Sequence, residues 1–311
     1  MVTINSEKKT KTNLNFIIMN TLDAVLSQYE KNKQATSTTP KLTQEERLKQ
    51  YFSIALPKGV KSAEKRIRIL PASNGGSPFS EVYFHNVQVQ GKWMKLYDPG
   101  KDSSGKPTGE RSPLNEVEEA LKLAGDEQSR ELSRQYKSSK FYIVKVIDRD
   151  NEEDGVKFWR FKHNWKGDGI FDKLIPIWKN KGDISDPKEG RDLILSLQSV
   201  PLPGGRGEYT TVSSIMYEDP QPLSDDKEKS KEWLNDERVW SDVYSQKSVE
   251  YLEAISKGVE PVWDSELKKY TYDDPSNKSN STINMGNTKS EPTVHYEDPQ
   301  EDDEPDDDLP F

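Results

Sequence analysis

Short runs of alternating polar and apolar residues, each ended by a turn signal, constrain the fold of this 311-residue chain most. Residues 66–70 (RIRIL) alternate and stop at Pro71, as a half-buried strand does. Residues 82–89 lead through the turn Gln90-Gly91 into Lys92–Tyr97 (KWMKLY), which is the pattern of a hairpin. A period of two requires a sheet with distinct faces, so this region is predicted to form strands.

The same pattern returns further along the chain. Residues 141–147 and 156–161 (VKFWRF) are predicted to form a second hairpin around the polar turn 148–154. Two more short strands are predicted at 193–197 and 208–215. Because many short strands occur with few long helices, the sequence predicts a mainly β protein with a small barrel or sandwich core.

Helical segments are added to this β core. Ser112-Pro113 gives a cap residue followed by proline at the first helical position, which predicts a helical insertion at about 112–136. A C-terminal helical part is predicted at about 225–256. The core is therefore assigned to residues 41–256, between an N-terminal arm with a helix (1–40) and a connector (257–272).

Charge is distributed unevenly between the body and the C-terminus. The net charge is −9, yet residues 273–311 hold twelve acids and two lysines, so the rest of the chain is close to neutral. That segment is polar and poor in large apolar residues, which predicts a disordered acidic tail. It ends in the apolar tripeptide Leu-Pro-Phe. A near-neutral body can still gather cations on one surface and bind a polyanion.

The sequence predicts an intracellular, cytoplasmic location. Cysteine is absent, which fits a reducing compartment. Residues 16–19 form the only apolar run near the N-terminus, and it is too short for a signal peptide or a membrane span.

No catalytic motif stands out, so no enzymatic activity, cofactor or metal is predicted. Phosphate-binding loops, metalloprotease motifs and nucleophile elbows are all missing. The segment DRDNEEDG resembles a calcium loop but lacks its central glycine and lies between strands, which favours a solvated turn.

Aromatic residues beside cations on predicted strands are the main functional signal. They occur in Lys92–Tyr97, in residues 136–142 and in residues 157–162, which are followed by Trp165-Lys166. Bases of a single strand stack on exposed rings while lysine or arginine meets the phosphates. For any single ring the alternative is a place in the core, and the sequence leaves open which face of residues 156–161 meets solvent.

The order and spacing of several motifs resemble the single-stranded DNA-binding, helix-destabilising proteins of T-even and related tailed phages. These motifs are RIRILP with Pro78-Phe79, His85 followed by GKW, KFYIV at 140–144, GVKFWRF at 155–161 and IFDKL at 170–174. The resemblance implies an OB-fold, a five-stranded Greek-key barrel, that coats single strands in replication, recombination and repair.

The resemblance also assigns binding residues. The family's stacking and phosphate positions carry over onto Tyr142, Trp159, Tyr209, Lys137 and Arg160. Their proximity adds a second set with less direct support: Arg66, Arg68, Lys92, Trp93 and Lys157. The family's N-terminal cooperativity patch is similar in composition to Lys8, Lys9, Thr10 and Lys11, which would contact neighbouring protomers.

Two features depart from this family. Its structural zinc is held by one histidine and three cysteines; His85 matches the histidine, but the cysteines have no counterpart, so packing of the helical insertion is predicted to replace the metal. The acidic tail ends like bacterial single-stranded DNA-binding proteins, which recruit partner enzymes by this tip. The residues concerned are Asp306, Asp307, Asp308, Leu309, Pro310 and Phe311.

The sequence therefore predicts a non-enzymatic protein that binds single-stranded DNA without strong sequence preference. Two alternatives remain open at this point: a nuclease or recombination enzyme that carries the tail as a docking tag, and an RNA-binding module of OB type.

Overall fold

The computed structural model describes residues 43–202 and 207–272. The chain divides into two units, Met1–Arg47 and Leu48–Phe311. Of the first unit only residues 43–47 are described, and there Thr43 caps helix α1 (Gln44–Leu48). The Thr43 backbone N–H donates to Glu46 Oε2 (2.8 Å), and the Glu46 N–H donates to Thr43 Oγ1 (3.2 Å), which is a capping box.

The second unit is built on a large antiparallel sheet. Its strands run in the order β3-β2-β4-β1-β6-β7, and β5 pairs with β4 beside this path. A separate hairpin, β8–β9, follows near the end of the described chain. The bounds are β1 Ser62–Ile69, β2 Ser80–Val89, β3 Lys92–Tyr97, β4 Ser139–Asp148, β5 Val156–Lys162, β6 Leu193–Pro201, β7 Glu208–Tyr217, β8 Val262–Asp264 and β9 Lys269–Thr271.

Strand β4 organises this sheet. Its first half pairs with β2 (Phe141 opposite Val82) and its second half pairs with β1 (Val146 opposite Ile69), both along one edge. Its other edge pairs with β5 along nearly the whole length. A loop of residues 70–79 therefore lies where β1 ends and β2 begins.

The described part of this unit contains six further α-helices. Helices α2 and α3 form the insertion between β3 and β4, and α4 follows β5. Helices α5 to α7 lie in the predicted C-terminal helical part, which is three short helices because Asp226 and Ser248 each cap a new start with their side chains. The bounds are α2 Pro113–Ala124, α3 Glu127–Tyr136, α4 Ile170–Lys181, α5 Lys227–Leu234, α6 Trp240–Val243 and α7 Val249–Ser256.

The stretch 257–272, expected to be a connector, contains the hairpin β8–β9. The Asp264 carboxylate accepts hydrogen bonds from the backbone N–H groups of Glu266 and Leu267, both at 2.9 Å. Lys268 takes a left-handed conformation (φ 48°) and closes the turn. These hydrogen bonds form between near neighbours in the chain and could in principle be predicted from the sequence. The charged residues around them obscure the alternation of polar and apolar residues that would indicate two strands.

Both faces of the central strands are buried. One face carries the main core, with Ile67, Val144, Trp159 and Leu193 among its fully buried members. The opposite face packs Phe84, Phe141 and Phe158 against Tyr244, at the end of α6. A third cluster joins the far end of the β2–β3 hairpin to α2 and α7.

The architecture confirms the predicted fold class, a β-rich, OB-like core with added helices. Within residues 43–202 and 207–272, none of the helices is long and apolar enough to cross a membrane.

Candidate nucleic-acid interface

Strand β5 places Trp159 in the main core. Its side chain is 1% exposed and meets the ring of Phe52 edge-on at 5.6 Å. A base cannot reach this ring without displacing the core, so the structure corrects the prediction that Trp159 is an open stacking residue. Trp159 and Phe161 point to one side of β5, as strand alternation requires, and that side is dry.

Arg160, on the other side of β5, is held between aromatic rings. Its guanidinium carbon lies 4.5 Å from the centroid of Tyr244 and 5.1 Å from that of Phe84. A buried guanidinium over ring faces is a cation–π arrangement that fixes α6 onto the sheet. Arg160 is buried, so it is not a phosphate contact on an open surface.

Arg68 and Lys157, which were also predicted to contact DNA, are buried beside carboxylates inside the fold. Arg68 is fully buried and donates to Asp192 Oδ1 (3.1 Å) and to the Asp186 and Gln221 carbonyl oxygens (both 2.9 Å). Burial lowers its pKa more than Asp192 raises it. Lys157 is buried between Asp148 (3.3 Å) and Asp154 (2.8 Å). These two cations hold loops onto the sheet; breaking such buried pairs is costly.

Among the residues that the structure describes, the most exposed aromatic ring lies just beyond β5. Trp165 is 78% exposed and sits in the turn that joins β5 to α4. The turn is held by Asn164, whose side-chain oxygen accepts from the Lys166 backbone N–H at 2.8 Å and whose amide donates to Asp168. Gly167 supplies the positive φ (79°) that the turn needs. The fold thus presents a large apolar ring to water on a well-fixed support.

Trp165 is the outer member of a stack of rings that reaches into the protein. It meets the His163 ring edge-on at 4.2 Å, and His163 Nδ1 is hydrogen-bonded to the Tyr142 hydroxyl (3.1 Å). The Tyr142 ring lies flat on Phe171 of α4 at 4.2 Å. Tyr142, a predicted stacking residue, is itself buried. Tyr142 therefore lies beneath the exposed Trp165, with His163 between them.

Lysines surround this end of the sheet. The start of β4 and the end of β5 lie side by side, since the His163 N–H donates to the Lys140 carbonyl (2.8 Å). Lys137 and Lys166 are exposed there, and Lys140 and Lys162 are half-buried. Burial alone lowers the pKa of Lys140, but the Glu81 carboxylate, 2.6 Å away, outweighs it and raises that pKa. Lys140 therefore stays charged.

The β2–β3 hairpin extends this surface. Trp93 is 39% exposed, and its cross-strand partner is Gln88. Two residues further along β3, Lys95 lies opposite Asn86 of β2. The strand register places Lys95 on the same sheet face as Lys162 of β5. Lys92, at the tip, is exposed and lies 3.6 Å from Glu260. The lysine strip, defined here as Lys92, Lys137, Lys140, Lys162 and Lys166, comprises lysines at the hairpin tip, at the start of β4 and at the end of β5; Lys95 is left out because its Nζ is buried.

Two predicted contacts lie elsewhere on the sheet. Tyr209 is half-buried on β7, at the opposite end of the strand order from Trp93 on β3. Arg66 is exposed on β1 and lies 3.3 Å from Glu218. Strand pairing does not place these two residues beside the lysine strip.

His85 lies in a buried polar cluster. Its Nδ1 is 2.6 Å from the Tyr136 carbonyl oxygen, and its Nε2 is 3.5 Å from Asp98 Oδ1. Asp98 also accepts from the Asn115 amide (2.9 Å) and lies 3.7 Å from Lys101 Nζ. Burial alone raises the pKa of Asp98, but hydrogen bonding and charge attraction from His85 outweigh it and hold that pKa well below its usual range.

This cluster does not fit a zinc ion. Within the described ranges, three or more His, Asp or Glu side chains nowhere come together as metal ligands. The sequence has no cysteine. Zinc in structural sites takes four ligands, mostly thiolate and imidazole. The hydrogen bonds of this cluster, His85 to the Tyr136 carbonyl and Asn115 to Asp98, instead join the hairpin to the inserted helices.

A β-rich, OB-like core with exposed tryptophans and several lysines at one end of its sheet is typical of a nucleic-acid-binding domain. Comparison with family models agrees and is more specific. Residues 61–263 match the model described as gp32 DNA binding protein like. This match covers more than half of the chain, so the chain belongs to that family of DNA-binding proteins. No curated protein matches the sequence.

The sequence pattern indicated the region of Trp165 but not its role. Trp165-Lys166 follows β5 and lies between Asn164 and the run Gly167-Asp168-Gly169, residues that mark a loop. An aromatic residue in such a loop is more open than one on an aromatic-rich strand. That reasoning favours Trp165 over Trp159 as the exposed tryptophan on which a base could stack.

Proposed function

We propose that this protein binds single-stranded DNA along the lysine strip, with Trp165 and Trp93 as stacking rings. The observation that carries the proposal is Trp165, a ring that is 78% exposed on a turn fixed by Asn164. Exposure of a tryptophan costs free energy, and a fixed turn gives it no chance to bury itself. A base stacked on the ring recovers that free energy.

The chemistry favours a single strand over a duplex. Base faces are accessible on a single strand and hidden in a double helix, so stacking selects the former. Stacking is tolerant of sequence because each base has an aromatic face. The lysines add phosphate contacts, whose strength falls with salt as counterions are released.

A salt titration tests this proposal. Binding of a labelled oligothymidylate of about 16 nucleotides, a length at the upper end of OB-fold site sizes, is followed by fluorescence anisotropy. We expect tight binding at low salt, a linear fall of log affinity with log salt, and weaker binding to the matched duplex. Absence of binding at low salt, or equal binding to duplex, would contradict the proposal. A matched RNA strand in the same assay distinguishes an RNA-binding module.

The wider role follows from the family and from the charge pattern. We propose that the protein coats single strands in the cytoplasm during replication, recombination and repair. Residues Lys8, Lys9, Thr10 and Lys11 would contact the neighbouring protomer, and Asp306–Phe311 would recruit partner enzymes; both segments lie outside the described residues. A terminal phenylalanine fits an apolar pocket while carboxylates meet basic residues at its rim.

The acidic tail is also proposed to compete with DNA. Residues 273–311 carry twelve acids, which match the charge of a phosphate backbone. In the absence of DNA the tail would occupy the lysine strip and lower the apparent affinity.

A further inference from the structure

A groove of about 1060 Å³ opens on the face of the sheet opposite the main core. Its floor is formed by Ile143, Lys145 and Phe158 of β4 and β5. One wall is the loop 70–80, where β4 passes from one partner strand to the other. The opposite wall, named the strap here, is residues 233–240. This volume slightly exceeds the range of about 300–1,000 Å³ that is usual for ligand sites, so the groove is large enough for a nucleotide.

Two cations meet inside this groove. Lys145 Nζ lies 5.6 Å from the centroid of the Phe158 ring, and the Arg238 guanidinium carbon lies at the same distance from it. The Lys145 side chain is 25% exposed and that of Arg238 is 37% exposed, so both remain within reach of a ligand. An anion placed between them would contact both.

The strap supplies that anion from within the protein. Asp236 Oδ1 accepts from Lys145 Nζ (3.3 Å), and Asp236 Oδ2 accepts from Arg238 Nε (2.9 Å). Burial alone raises the pKa of Asp236, but Arg238 and then Lys145 outweigh it and lower that pKa. The carboxylate is therefore charged at neutral pH. Its two oxygens serve two cations, as the two free oxygens of a phosphodiester do.

We propose that the groove is a second contact site for the DNA backbone, in which a phosphate takes the place of Asp236 between Lys145 and Arg238. The site rests on the proposed function, since it needs a single strand already bound along the lysine strip. Phe158 in the groove floor and Arg160 beneath α6 lie two residues apart on one face of β5, which continues to Lys162 of that strip. The groove and Lys162 thus lie on the same face of the sheet.

The walls of the groove suit a polar ligand. Ser73, Asn74 and Ser77 line the loop side with hydroxyl and amide groups, and Trp240 lies on the strap side with part of its ring exposed. Hydroxyls and amides donate to phosphate oxygens, and an indole ring can pack on sugar or base. An apolar peptide would leave these groups unsatisfied.

The test compares two neighbouring carboxylates. Asp236→Asn removes the charge between the two cations and keeps the size of the side chain. Glu237→Gln removes the same charge one residue further on, from an exposed side chain that also lines the groove, and is the matched control. Both full-length variants are titrated with the oligothymidylate over a series of salt concentrations, beside the wild type.

We expect Asp236→Asn to bind several-fold more tightly than the wild type, and Glu237→Gln to change little, because a solvent-exposed charge is screened. Each additional phosphate contact steepens the slope of log affinity against log salt by about 0.7 for a single strand. Lys145→Gln should lower the slope by a similar amount. Equal effects of the two carboxylate variants, or weaker binding of Asp236→Asn, would overturn the second site.

If a variant fails to fold, a measurement on the wild type can still test the second site. Ultraviolet cross-linking to an oligothymidylate, followed by mass spectrometry, should give adducts in the peptide that contains Trp240. Adducts at Trp165 without any in the strap would overturn the second site and leave the proposed function intact. Failure of the wild type to bind the oligonucleotide would instead refute the proposed function itself.

Discussion

Replacement of Trp165 by alanine separates stacking on DNA from folding. A stacked base contributes about 1–3 kcal/mol when the ring is lost, which corresponds to roughly a 5- to 150-fold rise in Kd. Trp165 is 78% exposed, so only about a fifth of its surface is buried. A tryptophan buries about 150–250 Å² in full, and a fifth of this at about 25 cal/mol per Å² gives about 1 kcal/mol. Stability should therefore change little.

The same substitution at Trp159 should have the opposite profile. Its ring is 1% exposed in the main core, and truncation of a buried tryptophan costs about 3–5 kcal/mol. Because whole domains are stable by only about 5–15 kcal/mol, this loss endangers folding itself. Any loss of DNA binding by Trp159→Ala should thus follow the fraction of unfolded protein.

Two assays on three variants decide the matter. Urea unfolding gives the change in stability, and anisotropy with a labelled oligothymidylate gives Kd at a fixed salt concentration. Trp263→Ala is the control, since Trp263 is 54% exposed on β8, outside the lysine strip. The reasoning is refuted if Trp165→Ala binds like Trp263→Ala, or if Trp159→Ala stays folded and alone loses DNA.

Four further predictions concern the buried cluster and the tail. Asp98→Ala leaves His85 without its carboxylate and should cost about 3–5 kcal/mol in urea unfolding, whereas the exposed Glu119→Ala should not. Because the native pKa of Asp98 is lowered, its contribution to stability is present above about pH 4 and lost as pH falls towards the native pKa, so Asp98→Asn should show less acid destabilisation than the wild type in pH-dependent melts. Deletion of residues 273–311 should raise DNA affinity and flatten its salt dependence, which the anisotropy titration measures. Deletion of residues 309–311 alone should leave DNA binding unchanged and abolish pull-down of partner enzymes.

The strands could be predicted because their signals are local. Alternation in residues 66–70 and 82–97, with turns at Pro71 and Gly91, sets the strand positions within a few residues. The helical insertion was equally accessible, since Ser112-Pro113 and Gly125 mark the start and end of α2.

The candidate site could not be predicted as completely, because burial depends on distant partners. Arg68 resembles a surface cation until Asp192, 124 residues later, is placed beside it. Arg160 is covered by Tyr244, which belongs to a short helix far along the chain. Period-two alternation shows that a strand has two faces but cannot show that both are covered. The positions that the resemblance assigned to DNA therefore include several that the fold uses internally.

The division of β2 has a consequence for motion. Its first half is held in the sheet by β4, as far as Phe84, while residues 85–89 pair with β3 and pack on α2 and α7. We expect the hairpin end and its helices to open as one unit, because they share a small core and only the first half of β2 pairs with the rest of the sheet. We expect amide hydrogens at 85–89 to exchange at a lower opening free energy than those of β4. Such an opening would release the strand that carries Trp93, so the distance between the two proposed stacking rings, Trp93 and Trp165, would not be fixed.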